Sequence, residues 1–207
     1  MSTHLKLLAL ASAAMLALPG SGYADTIDFS QFGPDGTSTA GTVTGSTVGN
    51  VTVQITSPNG GFQTAIEGYD WLGIFPAGAP LLFDGTGAGA VTLIFSTPIS
   101  SLTLAAQAQD AGAFTETMTA FSGATPIGST SASAFNFGNS TANEGTIPLL
   151  TISVAGITSV TLSTSNDADG FALYGGAGHE SIPEPASLTL LGLGLFGVGL
   201  TRRKRLR

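Results

Sequence analysis

Val48-Gly49-Asn50-Val51-Thr52-Val53-Gln54-Ile55-Thr56 is the stretch that decides the fold class. Val51, Val53 and Ile55 alternate with Thr52 and Gln54. Side chains two apart point to one face of an extended chain, so this run buries one side and wets the other. Val160 and Leu162 alternate with Thr161 and Ser163 in the same way. Helical spacing is absent, and Gly, Ser and Thr dominate the runs between turn signals. The strands predicted on this pattern are Thr26–Phe29, Val48–Thr56, Val91–Phe95, Leu102–Ala106, Phe114–Phe121, Ile127–Ser131, Leu149–Val154, Val160–Ser163 and Phe171–Tyr174. Nine short strands at this spacing predict an all-β chain, an antiparallel β-sandwich of two sheets. Its wet faces are kept soluble by hydroxyls more than by charges, as with Thr115, Thr117 and Thr119 on one strand.

Outside the strands, residues 58–95 form the most irregular part. Pro58-Asn59-Gly60-Gly61 reads as one turn cluster and Gly85 to Gly89 as another. Long loops on a sandwich are where binding commonly sits. Tyr69 and Trp71 lie there, two apart, so in an extended segment both rings share a face. Two readings stand. The pair stacks on a sugar ring, or Trp71 is a core residue and Tyr69 a half-buried rim residue among Leu72, Ile74 and Phe75.

Both ends of the chain carry export signals. Met1 to Ala24 has a basic Lys6, an apolar run from Leu7 to Leu18, a break at Pro19-Gly20 and small residues at Gly22 and Ala24. That is the pattern of a signal peptide cut before Asp25. At the other end Pro183-Glu184-Pro185 precedes sixteen uncharged residues, Ala186 to Thr201, and then Arg202, Arg203, Lys204, Arg205 and Arg207. As a helix the apolar run spans roughly 24–28 Å, short of the ~30 Å hydrocarbon core but long enough once the bilayer thins and the flanking Arg side chains snorkel. The basic tail would stay cytoplasmic. This order of Pro-Glu-Pro, short apolar span and Arg-rich end resembles the PEP-CTERM sorting signal. The resemblance implies an exported protein of a Gram-negative bacterium that makes exopolysaccharide. It also implies a membrane-anchored precursor, cleavage near Pro183–Pro185 by a membrane-embedded exosortase, and transfer to the cell surface or release to the extracellular matrix.

Between the two ends the composition changes character. Residues 25–182 contain no Lys and no Arg, twelve acidic residues and one histidine, His179. The chain's net charge of −7 therefore hides a segment near −12. Such a segment cannot bind nucleic acid by neutralising phosphates. There is no cysteine, so the exported domain folds without disulfides. At about 158 residues it is long enough for one domain with its own core.

Chemistry is sparse. A hydroxyl nucleophile needs a base within hydrogen-bond reach, and the one histidine lies in a Gly-rich run, Gly175 to Ile182, that reads as a linker. Twelve carboxylates make some glycosidase-like pair inevitable, but no pair stands out. The residues predict a non-enzymatic domain. Asn166-Asp167-Ala168-Asp169-Gly170 offers hard oxygen ligands in a tight loop. With Ser165 and Gly176 where an EF-hand needs Asp and Glu, it is not an EF-hand. One reading is a structural Ca²⁺ held by Asp167 and Asp169 and joined to Asp28 or Asp84. The other is a β-turn using Asn, Asp and Gly for their backbone preferences.

Gly68 to Phe95 is similar to a stretch of PEP-CTERM exported domains, with an aromatic pair, Leu-Leu, a Gly-rich turn and a Val-Thr-Leu-x-Phe strand. Ile99 to Tyr174 resembles the closing strands of a galactose-binding-like jelly roll. Ser101-Leu102-Thr103-Leu104, Thr119-Ala120-Phe121-Ser122-Gly123, Gly156-Ile157-Thr158-Ser159-Val160 and Asp169-Gly170-Phe171-Ala172-Leu173 carry the likeness. Many such domains place an acid after the last apolar pair, where this chain has Tyr174. The expected domain runs from 25 to 174, and its expected role is that of a surface or matrix protein associated with exopolysaccharide. The alternative is a carbohydrate-binding module using Tyr69 and Trp71.

Overall fold

The computed structural model describes residues 25–68, 75–85, 87, 89–137, 147–166 and 168–175. The expected signal peptide at 1–24, the apolar span at 186–201 and the basic tail lie outside them. A short 3-10 helix, Phe29–Phe32, is followed by eight strands: β1 (Ser38–Ser46), β2 (Thr52–Ile66), β3 (Pro80–Asp84), β4 (Val91–Ala108), β5 (Gly112–Ser122), β6 (Thr125–Asn136), β7 (Leu150–Thr164) and β8 (Phe171–Tyr174). All pairings between named strands are antiparallel. The all-β class expected from the alternation is what forms.

The strands belong to one hydrogen-bonded sheet, in the order β1-β2-β3-β8-β4-β7-β5-β6, with a further pairing of β2 to β4. That further pairing makes the sheet close on itself. Val53 of β2 pairs with Phe95 of β4, while Ala65 of β2 reaches Ala105 of β4 through Leu81 of β3 and Tyr174 of β8. Following the strands from Ala65 to Val53 and then from Phe95 to Ala105 covers about 22 residues in one direction, roughly 70 Å of chain. The two ends of that path lie only three strand spacings apart, roughly 15 Å. The ribbon must therefore double back, and one sheet supplies both layers of the sandwich.

The corners are written into the strands. In β2 the partner of β1 jumps from Gly61 to Thr56, so Ser57–Gly60 bulge out, with Gly60 at φ 96°. In β4 the register with β7 shifts between Ile94 and Ile99, around Pro98, and β7 bends beside Gly156 at φ 86°. Strands that switch layers turn at such bulges. Pro58-Asn59-Gly60-Gly61 does turn the chain, as its composition predicts, but the strand continues through it. For the same reason Val91–Phe95 and Leu102–Ala106 are two halves of β4. Leu149–Val154, less its first residue, and Val160–Ser163 both fall within β7.

One core fills the space between the layers. Val53, Ile55, Leu93, Met118, Val160 and Leu162 come from one layer, and Phe62, Leu82, Leu104, Ile152, Phe171 and Leu173 from the other. A second apolar cluster lies on the opposite face of the β2–β3–β8–β4 layer. There Ala65, Leu81, Ala105 and Tyr174, which pair across four strands, are covered by Phe75, Ala79 and Ile147. The Phe75 and Tyr174 ring centroids stand 5.6 Å apart. All four residues of β8 are accordingly buried.

Three expectations change. Val48 and Gly49, predicted as the start of a strand, form a turn, and β2 begins only at Thr52. Thr26–Phe29 makes only isolated bridges, Asp25 to Leu102 and Ile27 to Thr47, before the chain coils into the 3-10 helix. Gly175, read as the first linker residue, is instead buried against the Ile27 backbone, so the first and last described segments of the domain meet.

Candidate functional site

Two places that the sequence marks as binding elements can be built up from the strands around them. The first is the root of the loop carrying Tyr69 and Trp71. Both aromatic residues lie outside the described residues. Their loop leaves β2 after Ile66 and returns at β3, and its neck is tied by Glu67 N–H to Ala79 O at 3.0 Å and Gly78 N–H to Glu67 O at 2.9 Å. Beside this neck is an open cleft of about 370 Å³, with Phe29, Ala65, Ile66, Pro80 and Leu81 as an apolar floor. Ser30, Asp35 and the buried Thr64 add polar groups to its lining. Thr64 is already committed, because its hydroxyl donates to Pro34 O at 2.5 Å and accepts Thr37 N–H at 2.9 Å. Gln31 is committed as well, donating to Asp28 O and Ser46 O and accepting Ser46 N–H.

The second is the Asn166–Gly170 loop. Asp167 lies outside the described residues, and Asp169 is exposed. Pairing of Ala108 with Phe171 sets the turn after β4 beside the loop before β8. Asp110 and Asp169 each stand two residues beyond that pair, on opposite chains. Gln109 N–H closes the arrangement on Gly170 O at 3.0 Å. The Asp110 carboxyl is held above the ordinary aspartate range, through desolvation first and then through the hydrogen-bonded Asp169 carboxylate next to it. Asp110 carries no sequence signal, since 59 residues separate it from Asp169 and only the strand pairing joins them. Among the described residues no three His, Cys, Asp or Glu side chains converge as a metal site.

The two other acids named with this loop are occupied elsewhere. Asp28 caps the 3-10 helix, its Oδ1 accepting Ser30 N–H at 2.9 Å. Asp84 is fully buried at the end of β3, where Oδ1 accepts the Ser57 hydroxyl and Oδ2 accepts Asn59 Nδ2 at 3.1 Å. Asn59 Nδ2 also reaches Gly85 O at 3.3 Å and Gly87 O at 2.8 Å. This network pins the bulge of β2 to the Gly-rich loop after β3. It is structural, and it explains why the Asn-Gly and Gly-rich clusters sit where they do.

The sorting residues Pro183, Glu184 and Pro185 and the basic tail fall outside the described residues. Among the described residues no helix is long and apolar enough to cross a membrane. A family model, the PEP-CTERM protein-sorting motif, matches residues 181–205. No curated protein matches the chain. Among solved structures, a DUF4465 family protein from Bacteroides caccae is similar at a TM-score of 0.42 and 11% identity, over 72% of this chain and 96% of that one.

Proposed function

From a chain that is exported, anchored in the membrane until an exosortase processes it, and otherwise all β, we infer a non-enzymatic protein of the cell surface or extracellular matrix that associates with exopolysaccharide. The observation that carries this reading is the sorting motif at 181–205. The make-up of the domain supports it. Residues 25–175 offer no Lys, Arg, His or Cys to serve as base or nucleophile. The native protein is expected to lack Met1–Ala24 and everything beyond about Pro185, and to be found at the cell surface or in the matrix. Intact mass combined with cell fractionation checks both. Retention of Arg207 in a membrane fraction would make the tail a plain anchor and sink the processing step.

The cleft beside the neck of the aromatic loop favours a second reading, a carbohydrate-binding module. Its mixed apolar and polar lining includes Ala65, Ile66, Pro80 and Leu81, which flank the neck of the loop that carries Tyr69 and Trp71. Saturable binding of residues 25–182 to a neutral glycan, lost in Trp71→Ala with the fold intact, is the expected result on that reading. A structural Ca²⁺ belongs to either reading. Asp169 and Asp110 would hold it together with Asp167, and two adjoining carboxylates suit a hard cation. Added Ca²⁺ should then raise the melting temperature of the wild-type domain and leave Asp169→Asn unmoved. Equal response of the two would dismiss the ion.

A further inference from the structure

Glu116 lies on the inner face of β5, between Phe114 and Met118, and is fully buried. Its Oε2 accepts the Ala106 N–H of β4 at 2.7 Å. Its Oε1 is buried with no hydrogen-bond partner. The register pairs Glu116 with Ala132 of β6 on one side and with Thr164 of β7 on the other. Thr164 Oγ1 is likewise buried with no partner. None of these neighbours is charged or titratable. The shortage of cations extends well beyond this spot, because residues 25–182 contain no Lys or Arg and their one histidine, His179, sits past the last strand. An ionised carboxylate buried among apolar side chains without a counter-ion is strongly disfavoured. A neutral carboxyl fits the same place, with Oε2 as the carbonyl that accepts from Ala106 and Oε1 carrying the proton.

We propose that Glu116 is a proton-held latch: the sandwich closes on its neutral carboxyl, and loss of the proton frees the Gly112 end of β5 from β4. The latch is independent of any ligand the domain takes. Burial raises the carboxyl's pKa to about 8, with the Ala106 N–H bond pulling the other way, against an ordinary value of 4.5. The folded chain therefore keeps a proton that the unfolded chain has given up. The stability this group confers is fully present below pH 4.5 and is lost as pH rises through about 8. Within that window its contribution to the folding equilibrium constant falls by up to about tenfold per pH unit. Asp25 is also raised, by desolvation above all, and Asp110 with it, but both stay in place when Glu116 alone is changed.

The test compares wild-type residues 25–182 with Glu116→Gln and Thr164→Val, by denaturant midpoint from pH 5 to pH 9 and by infrared titration of the carboxyl band. The wild-type midpoint should fall across this range relative to that of Glu116→Gln, and amide protection at Ala106 and along 112–116 should fall with it. A protonated-carboxyl band should persist near neutral pH in the wild type and be missing in Glu116→Gln. Thr164→Val should move the transition to higher pH, because it replaces a buried, unpartnered hydroxyl at the position paired with Glu116 by a methyl group and makes the surroundings of the carboxyl more apolar. Parallel wild-type and Glu116→Gln curves, or a wild type with no protonated carboxyl at pH 6, would overturn the latch. Should Glu116→Gln fail to fold, the infrared titration of the wild type against Thr164→Val decides alone.

Discussion

Gly170→Ala is expected to cost the domain about 4 kcal/mol, combining positive-φ strain with overpacking. At the size of this domain that lowers the melting temperature by roughly 8–16 °C. Gly170 has φ 93°, a conformation that side chains with a Cβ rarely adopt. A Cβ there would also meet Gly85 O at 2.5 Å and press into Asp84 O. Both obstacles are backbone at the end of β3, held by the pairing of Asp84 with Phe171, so neither can swing aside. Gly78→Ala separates strain from clash. Its φ is 78° and nothing lies within 4 Å of the position, so only the strain of about 1–2 kcal/mol should appear. Melting curves of the two variants that coincide would refute the clash. Gly175→Ala belongs with Gly170→Ala, since its Cβ would run into the Ile27 carbonyl and displace the Asp25–Ile27 segment from Leu102 and Thr47.

Ser57→Ala should be nearly as damaging, at about 2–4 kcal/mol, because it takes one partner at once from the buried Asp84 carboxylate and from two half-buried N–H groups. The Ser57 hydroxyl oxygen accepts Asn59 N–H at 2.9 Å and Gly61 N–H at 3.3 Å. With both lone pairs used, its proton has one destination, Asp84 Oδ1. That fixes what residue 84 has to be. An amide in place of the carboxylate would have to turn its oxygen to Ser57 and its NH₂ to the NH₂ of Asn59. Asp84→Asn should therefore destabilise as well, despite its matching shape. In urea titrations Ser57→Ala and Asp84→Asn should be strongly non-additive, the double variant being little worse than either single one, because they break one network. Additive losses would show that the two side chains act separately.

The pattern of what was legible follows from burial on one face or two. β5, β7 and the Val91–Phe95 end of β4 bury one face, so inward apolar side chains alternate with outward ones and the strands can be read directly. β3 is Pro80-Leu81-Leu82-Phe83-Asp84, with Leu82 in the central core and Leu81 under Phe75 and Ala79. A strand covered on both sides has no alternation, so by sequence it reads as part of an irregular stretch. β1 fails in the opposite way. Among the described residues it pairs only with β2, and Ser38–Ser46 has one large apolar residue, Val43. The carboxylates show the same limit. Asp169 is legible as a loop acid, yet its neighbour Asp110 comes from the distant turn between β4 and β5, and Glu116 reads as one polar residue in a hydroxyl-rich strand.

The sequence by itself determined the all-β class, the absence of disulfides, the cation-free domain and the sorting route. These follow from side-chain period, composition and a local three-part motif, none of which depends on distant contacts. Only the tertiary structure decided that one sheet doubles back into two layers, that Pro58–Gly61 is a corner within a strand, and that Asp84 is a buried structural acid. It alone placed Glu116 in the core without a counter-ion. Each of those depends on which strands become neighbours, and register between segments tens of residues apart is set by the packing of the whole core.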